Sequence, residues 1–297
     1  MIATHLAVII EPAPDRAAGL ELEFVLAKTD QNTFTNDIAL FGAETGEIGF
    51  EIQGPKAFGQ RIYDYIYEQG KKYNIRRIGA KTAMVKHMEA SFPTVVHDYL
   101  PAVLTDEENG YFETYRERFN DFKRFLKVSG SYEGTKLEDW YRTPVELGWA
   151  NRISLNHEFY GKEALAALKK APPRTLVTLV WNEEDVMDVA ASMFRDEKQY
   201  DYMELPRTQW YSNHVDKVLD GGKVIGIATN RIFSQYFRKT ISHCSIDTEY
   251  AQMGREVVVV WGEPGHRQKH IRATVAPSPF KEDNRYIDLH NMPKELK

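Results

Sequence analysis

The chain has 297 residues, 42% of them apolar and 27% charged, which is the composition of folded protein and enough length for about two domains. Its 38 Lys and Arg against 43 Asp and Glu, with no basic run longer than the pairs Lys71-Lys72 and Arg76-Arg77, speak against a nucleic-acid partner. One cysteine, Cys244, excludes an intrachain disulfide and a cysteine zinc cluster and implies a reducing, cytoplasmic compartment, and no apolar run approaches the ~20 residues that cross a bilayer, so no membrane partner is expected.

The chain opens with two strand-like runs, Leu6 to Ile10 and Leu20 to Ala27, separated by a loop containing Pro12 and Pro14. In the second run Glu21 and Glu23 alternate with apolar residues, the period of a half-buried strand. Residues 38–55 read as strand, Gly-rich turn, strand. A helix is predicted from Pro55, with Phe58, Ile62 and Ile66 on one face and an end near Gly70. A second helix is predicted within 100–128, where Phe112, Tyr115, Phe119, Phe122 and Leu126 form an aromatic stripe of the kind that packs a core. A third is predicted over 158–170, stopped by Pro172-Pro173, which set the expected boundary between a domain at 1–172 and one at 173–297.

Beyond that point the texture becomes β-branched. Leu176 to Trp181, Lys223 to Ala228, Val257 to Trp261 and Ile271 to Val275 are predicted strands. Asp220-Gly221-Gly222 is a hairpin signal, and 183–194 is a helical insert. Short strands at this density suggest a small barrel or sandwich. The charged tail from Lys281 is expected to lie extended.

No metal site is read from the nine histidines. His266 and His270 follow Pro264-Gly265 and lead into a strand, which is not helical ligand geometry. His87 and Glu89 share a face only if their segment is extended. The turn Gly42-Ala-Glu-Thr-Gly46-Glu-Ile-Gly49 is not a phosphate cradle, because Glu44 and Glu47 would repel the anion. Two readings stay open for it: a hairpin with solvated glutamates, or a site for the ring N–H and amino donors of a pterin or guanidine.

Three stretches resemble the aminomethyltransferase (glycine-cleavage T-protein) superfamily, in particular its tetrahydrofolate-dependent vanillate and syringate O-demethylases. The first is Thr45-Gly-Glu-Ile-Gly-Phe-Glu51 with Gly54-Pro55. The second is Thr143-Pro-Val-Glu-Leu-Gly-Trp149 through Asn156-His-Glu-Phe-Tyr-Gly-Lys-Glu-Ala-Leu165. The third comprises Val177 to Asn182, Tyr202-Met-Glu-Leu-Pro206, Val257 to Glu263 and Arg272 to Pro279.

The resemblance implies an α+β fold: a T-protein-like folate-binding domain followed by a small C-terminal β-barrel. It implies tetrahydrofolate as cofactor, Glu51 and Glu47 as pterin contacts, and Phe92 as an aromatic beside the folate. It also implies a small-molecule methyl donor and O-methyl transfer. Two departures keep other readings open. The family's N-terminal half, with the T-protein's catalytic aspartate, has no counterpart here, and Ala83 stands where the demethylases carry a catalytic tyrosine, leaving the catalytic residue unassigned. Either His87 or Lys81 is a substitute of the right chemistry. The alternatives are a folate-binding subunit of a split enzyme, whose partner chain supplies the N-terminal half, and a non-catalytic folate-binding relative.

Overall fold

The computed structural model describes residues 6–9, 39–41, 49–53, 56–100, 127–135, 137–206 and 212–282. The chain divides into two compact units, one of residues 1–79 with 281–297 and the other of residues 80–280. The predicted strand at Leu20, the helix within 100–128 and most of the tail lie outside the described residues.

In the first unit β1 (Leu6–Ile9), β2 (Ala39–Phe41) and β3 (Gly49–Gln53) form an antiparallel sheet in the order β1-β3-β2. The predicted strand-turn-strand at 38–55 is therefore a pair of adjacent strands. A 3-10 turn over Lys56–Phe58 leads into α1 (Gly59–Gly70), as the apolar spacing requires. Helix α1 ends where Ile75 folds back: its N–H donates to Gly70 O at 3.1 Å, and a Cβ at Gly70 would lie 2.7 Å from the Ile75 side chain. On its exposed side Tyr63 and Tyr67 stack at 6.3 Å, with Arg77 over the Tyr67 ring at 4.5 Å.

The second unit is built on a closed barrel. Its strands are β5 (Arg174–Trp181), β7 (Asp216–Asp220), β8 (Lys223–Ser234), β9 (Lys239–Asp247), β10 (Glu256–Trp261) and β11 (Lys269–Ala276), in the order β10-β11-β5-β9-β8-β7. All paired neighbours run antiparallel. Of the two architectures expected, the closed barrel is the one formed. Closure leaves no free sheet edge.

Strand β5 begins directly after Pro172-Pro173, and the β7–β8 hairpin turns on Gly221 and Gly222, both at positive φ. The core is the inside of the barrel: Val177, Leu179, Trp181, Cys244, Val259 and Ile271 are each at most 2% exposed. Trp181 keeps its indole N–H satisfied by donating to Ser242 Oγ at 2.9 Å.

Three α-helices of this unit lie among the described residues. α2 (Ala80–Glu89) packs Met88 against Ile232 and Ile241 on the outer barrel face. α3 (Lys162–Lys170) starts four residues later than predicted, because Gly161 takes a left-handed conformation at its N-cap. α4 (Glu183–Ala191), capped by Asn182, is the predicted insert. It is tied to β11 by Arg272–Asp185 and Lys269–Asp188 pairs. A short parallel pair is formed by β4 (Lys127–Ser129) with β6 (Ser212–His214). Among the described residues no helix is long and apolar enough to cross a membrane.

Candidate functional site

Glu51 lies in β3, the central strand of the first unit's sheet, opposite Ala7 on β1 and Phe41 on β2. Glu47 falls in 42–48, outside the described residues. Phe92 follows α2 in the second unit. It is half-buried, its N–H donates to His87 O at 2.8 Å, and its ring tilts against the His87 ring at 5.2 Å.

The 80–89 segment is helical rather than extended. Residues two apart on a helix point in nearly opposite directions, so His87 and Glu89 do not form an acid/base pair. Ala83 and His87 are four apart, which puts His87 one turn further along the same face. Lys81 is exposed and lies 3.4 Å from Glu204.

Glu89 is 1% exposed and is satisfied by Ser234 Oγ at 2.6 Å and Lys86 Nζ at 3.2 Å. This ties the end of α2 to the barrel. Nine residues on, Asp98 is also buried. Its carboxylate accepts from Thr94 N at 2.7 Å, Thr229 Oγ1 at 2.7 Å, His243 Nδ1 at 2.9 Å and Asn230 Nδ2 at 3.4 Å. Burial alone would push its pKa up. His243, by charge and hydrogen bond, with the bonds from Thr229 and Thr94, outweighs that and holds it below the ordinary aspartate value. A carboxylate only accepts, so His243 Nδ1 carries a proton.

The donors from β8 come from a bulge between Thr229 and Ile232, where Asn230 takes a left-handed φ of 45°. A bulge re-aims side chains that a regular strand would direct elsewhere. Sequence reading missed Asp98, His243 and Thr229. Their only sequence-level signal is polar residues within otherwise apolar runs.

A second polar cluster surrounds β4 and β6. Ser129 Oγ lies 2.9 Å from His214 Nδ1, and His214 Nε2 lies 2.9 Å from Asp216 Oδ2. The order is that of a hydrolytic triad, but the adjacent amides are occupied: Gly130 N donates to Glu263 at 2.7 Å and Ser131 N to Asp216 at 3.2 Å. With those N–H groups aimed at carboxylates they cannot stabilise an oxyanion. The cluster is a clamp.

It closes on Trp261, which has the His214 ring on it at 5.0 Å and the Arg231 guanidinium at 4.0 Å, and which donates to Asp201 O at 2.8 Å. The Trp261-Gly262-Glu263 motif is thereby a structural anchor. Gly262 is at φ 111° and Glu263 holds the Gly130 amide. A polar cleft of about 370 Å³ beside α4 is lined in part by Val180, Asn182 and Arg272, from two segments of the third family-like stretch, and its Lys239 and Arg272 already pair with Glu183 and Asp185.

Comparison with known proteins bears on these features. The GCVT N-terminal domain family matches residues 43–109, which hold Glu47, Glu51 and Phe92. A sesamin methylene transferase of Sinomonas is 36% identical over 84% of this chain and 58% of its own length. A syringate O-demethylase of Sphingobium is 29% identical over 82% of this chain and 54% of its own. The chain thus spans a little over half the length of these curated relatives. The crystal structure of the glycine cleavage system aminomethyltransferase T from Bartonella henselae superposes with a TM-score of 0.53 at 18% identity, over 88% of this chain and 57% of that one. That likeness establishes the T-protein fold, an α+β arrangement followed by a barrel. The chain is accordingly related to the aminomethyltransferase (glycine-cleavage T-protein) superfamily and to its demethylase and methylene-transferase members.

Proposed function

We propose that this chain serves tetrahydrofolate-dependent one-carbon transfer, moving an O-methyl group from a small-molecule donor in the manner of an aryl methyl ether O-demethylase. The observation that carries the reading is its similarity, across more than four-fifths of its length, to two proteins named for moving a methyl or methylene group. In this reading, which follows the family resemblance, Glu51 and Glu47 accept hydrogen bonds from the pterin ring donors, and Phe92 is an aromatic that packs near the folate. The half-buried Phe92–His87 pair fits such a ligand, since an aromatic heterocycle stacks on a ring held in place. Tetrahydrofolate would supply the nucleophilic nitrogen that takes the carbon. The chain's own residues would bind and orient it and deliver a proton to the leaving ether oxygen. His87 is the group we assign to that proton, one turn along the helix from Ala83. The folate-binding residues are assigned to a domain at 1–172 and the barrel to one at 173–297, with a cytoplasmic location.

A second reading, which the family resemblance leaves open, is one part of a split enzyme whose partner chain supplies the N-terminal half and the donor pocket. The test is single-turnover chemistry with purified chain, tetrahydrofolate and vanillate, following methyl-tetrahydrofolate. Turnover by the chain alone supports the first reading, and turnover only with a co-purified partner supports the second. Tetrahydrofolate binding with no turnover in either case leaves a non-catalytic relative. Charge-assisted bonds to a carboxylate contribute ~1.5–3 kcal/mol, so Glu51→Ala should weaken tetrahydrofolate binding about tenfold or more by calorimetry. Equal affinities would remove Glu51 from the site.

A further inference from the structure

We propose that Asp98 is a positioning residue: acting through Thr94, and itself held by His243 and the β8 bulge, it fixes the turn that presents the Phe92–His87 pair. That this pair faces tetrahydrofolate rests on the proposed function above.

The geometry is a relay of hydrogen bonds with one direction. Asp98 is buried and receives donors from its own turn, from β8 and from β9. One of them is the Thr94 N–H at 2.7 Å. This bond sets the Thr94 backbone and with it the Thr94 hydroxyl. That hydroxyl donates its single proton to Phe92 O at 3.3 Å and lies 3.2 Å from His87 Nδ1. In the proposed arrangement the hydroxyl keeps its proton on Phe92 O and accepts from His87, so that Nδ1 of His87 carries hydrogen. The tautomer of His87, the carbonyl of Phe92 and the contact between their rings all depend on where Asp98 holds Thr94. The turn needs such an anchor, because Ser91 at φ 49° and Val96 at φ 71° are both left-handed. A β-branched residue such as Val96 holds that conformation only when its surroundings enforce it.

The anchor on the barrel side is equally specific. Asn230 reaches Asp98 from its left-handed position in the bulge, and His243 reaches it from β9. A carboxylate kept only for barrel stability would need no link to Thr94, whereas this one spends an oxygen on that amide.

The test has two arms, on full-length chain. In the first, ¹⁵N-labelled histidine spectra read the tautomer of His87, assigned with His87→Gln. The wild type should show His87 protonated at Nδ1. Asp98→Asn and Thr94→Val should both move the His87 nitrogens toward mixed tautomers. Thr94→Val keeps the backbone bond to Asp98, so this arm survives if Asp98→Asn fails to fold. In the second arm calorimetry reads tetrahydrofolate affinity. Asp98→Asn and His243→Phe should each weaken it about tenfold. His243→Asn, which keeps a donor at the Nδ1 position, should restore it to within about twofold.

Unchanged His87 nitrogens in both Asp98→Asn and Thr94→Val overturn the proposal. So does wild-type affinity in a folded Asp98→Asn. Absence of tetrahydrofolate binding by the wild type would instead overturn the folate reading, and the spectra alone then decide whether Asp98 positions His87.

Discussion

Along β9 the inward residues Ser242, Cys244 and Ile246 enclose the barrel core with Trp181 and Leu179, while His243 on the other face binds Asp98 beside Ile241, which packs on Met88. One strand thus carries two kinds of packing. The inner face is close-packed hydrocarbon, and the Trp181 N–H within it is met by Ser242 Oγ. Outside, apolar contact is mixed with a buried charge that needs every one of its donors. Hydrocarbon packing stabilises without much regard to which residue supplies the volume. A buried carboxylate tolerates few arrangements, because leaving it unpaired is costly. The outer face therefore specifies how the 90–98 turn docks, and the inner face makes the barrel stable.

The largest effects should come from breaking each face at its centre. Trp181→Ala opens a cavity in the core and should cost about 3–5 kcal/mol. Asp98→Ala leaves His243 and Thr229 without an acceptor and should cost about as much. Urea melts of both, compared with wild type, would separate the faces. If Asp98→Ala lost less than about 1 kcal/mol, the outer network would not hold the turn.

The two faces should also part in acid. Asp98 has a folded-state pKa below its unfolded value of about 3.9, so its stabilisation is complete above that pH and is lost as pH falls through the folded value. Wild type should lose stability steeply below about pH 4, and part of that slope should vanish in Asp98→Asn, whereas Trp181→Ala should keep it. Equal slopes in wild type and Asp98→Asn would contradict this.

A smaller effect runs the other way. Thr178 is paired across from His243, is fully buried, and its hydroxyl has no hydrogen-bond partner among the described residues. Thr178→Val keeps the shape and removes an unsatisfied group, so it should raise stability by about 1 kcal/mol. A loss on thermal melting would show that the hydroxyl is bound after all.

The smallest effect is kinetic. Burial pushes the Cys244 thiol well up, so it is inert while the barrel is closed. Thiol reagents should label it only in urea. Rapid labelling of native protein would mean that the barrel opens locally.

Local pattern alone was enough for much of the scaffold. Alternation and β-branched runs mark β5, β8, β10 and β11, Gly221-Gly222 marks the hairpin between β7 and β8, and Pro172-Pro173 marks where β5 begins. Each of these follows from neighbours within a few residues, through dihedral preference or period. Strand β9 was not legible, because Ser242, His243 and Ser245 break any apolar run and both of its faces are buried. Helix α2 was not legible either, since its apolar face is only Met84, Val85 and Met88, too short for a period. The Glu47–Glu51 motif could be read as a resemblance, because a turn with carboxylates is a local arrangement. Asp98 could not. Its meaning comes from His243, 145 residues away, and from a bulge in β8, and a sequence states no distance between residues so far apart until the barrel has closed and set them 2.9 Å from each other.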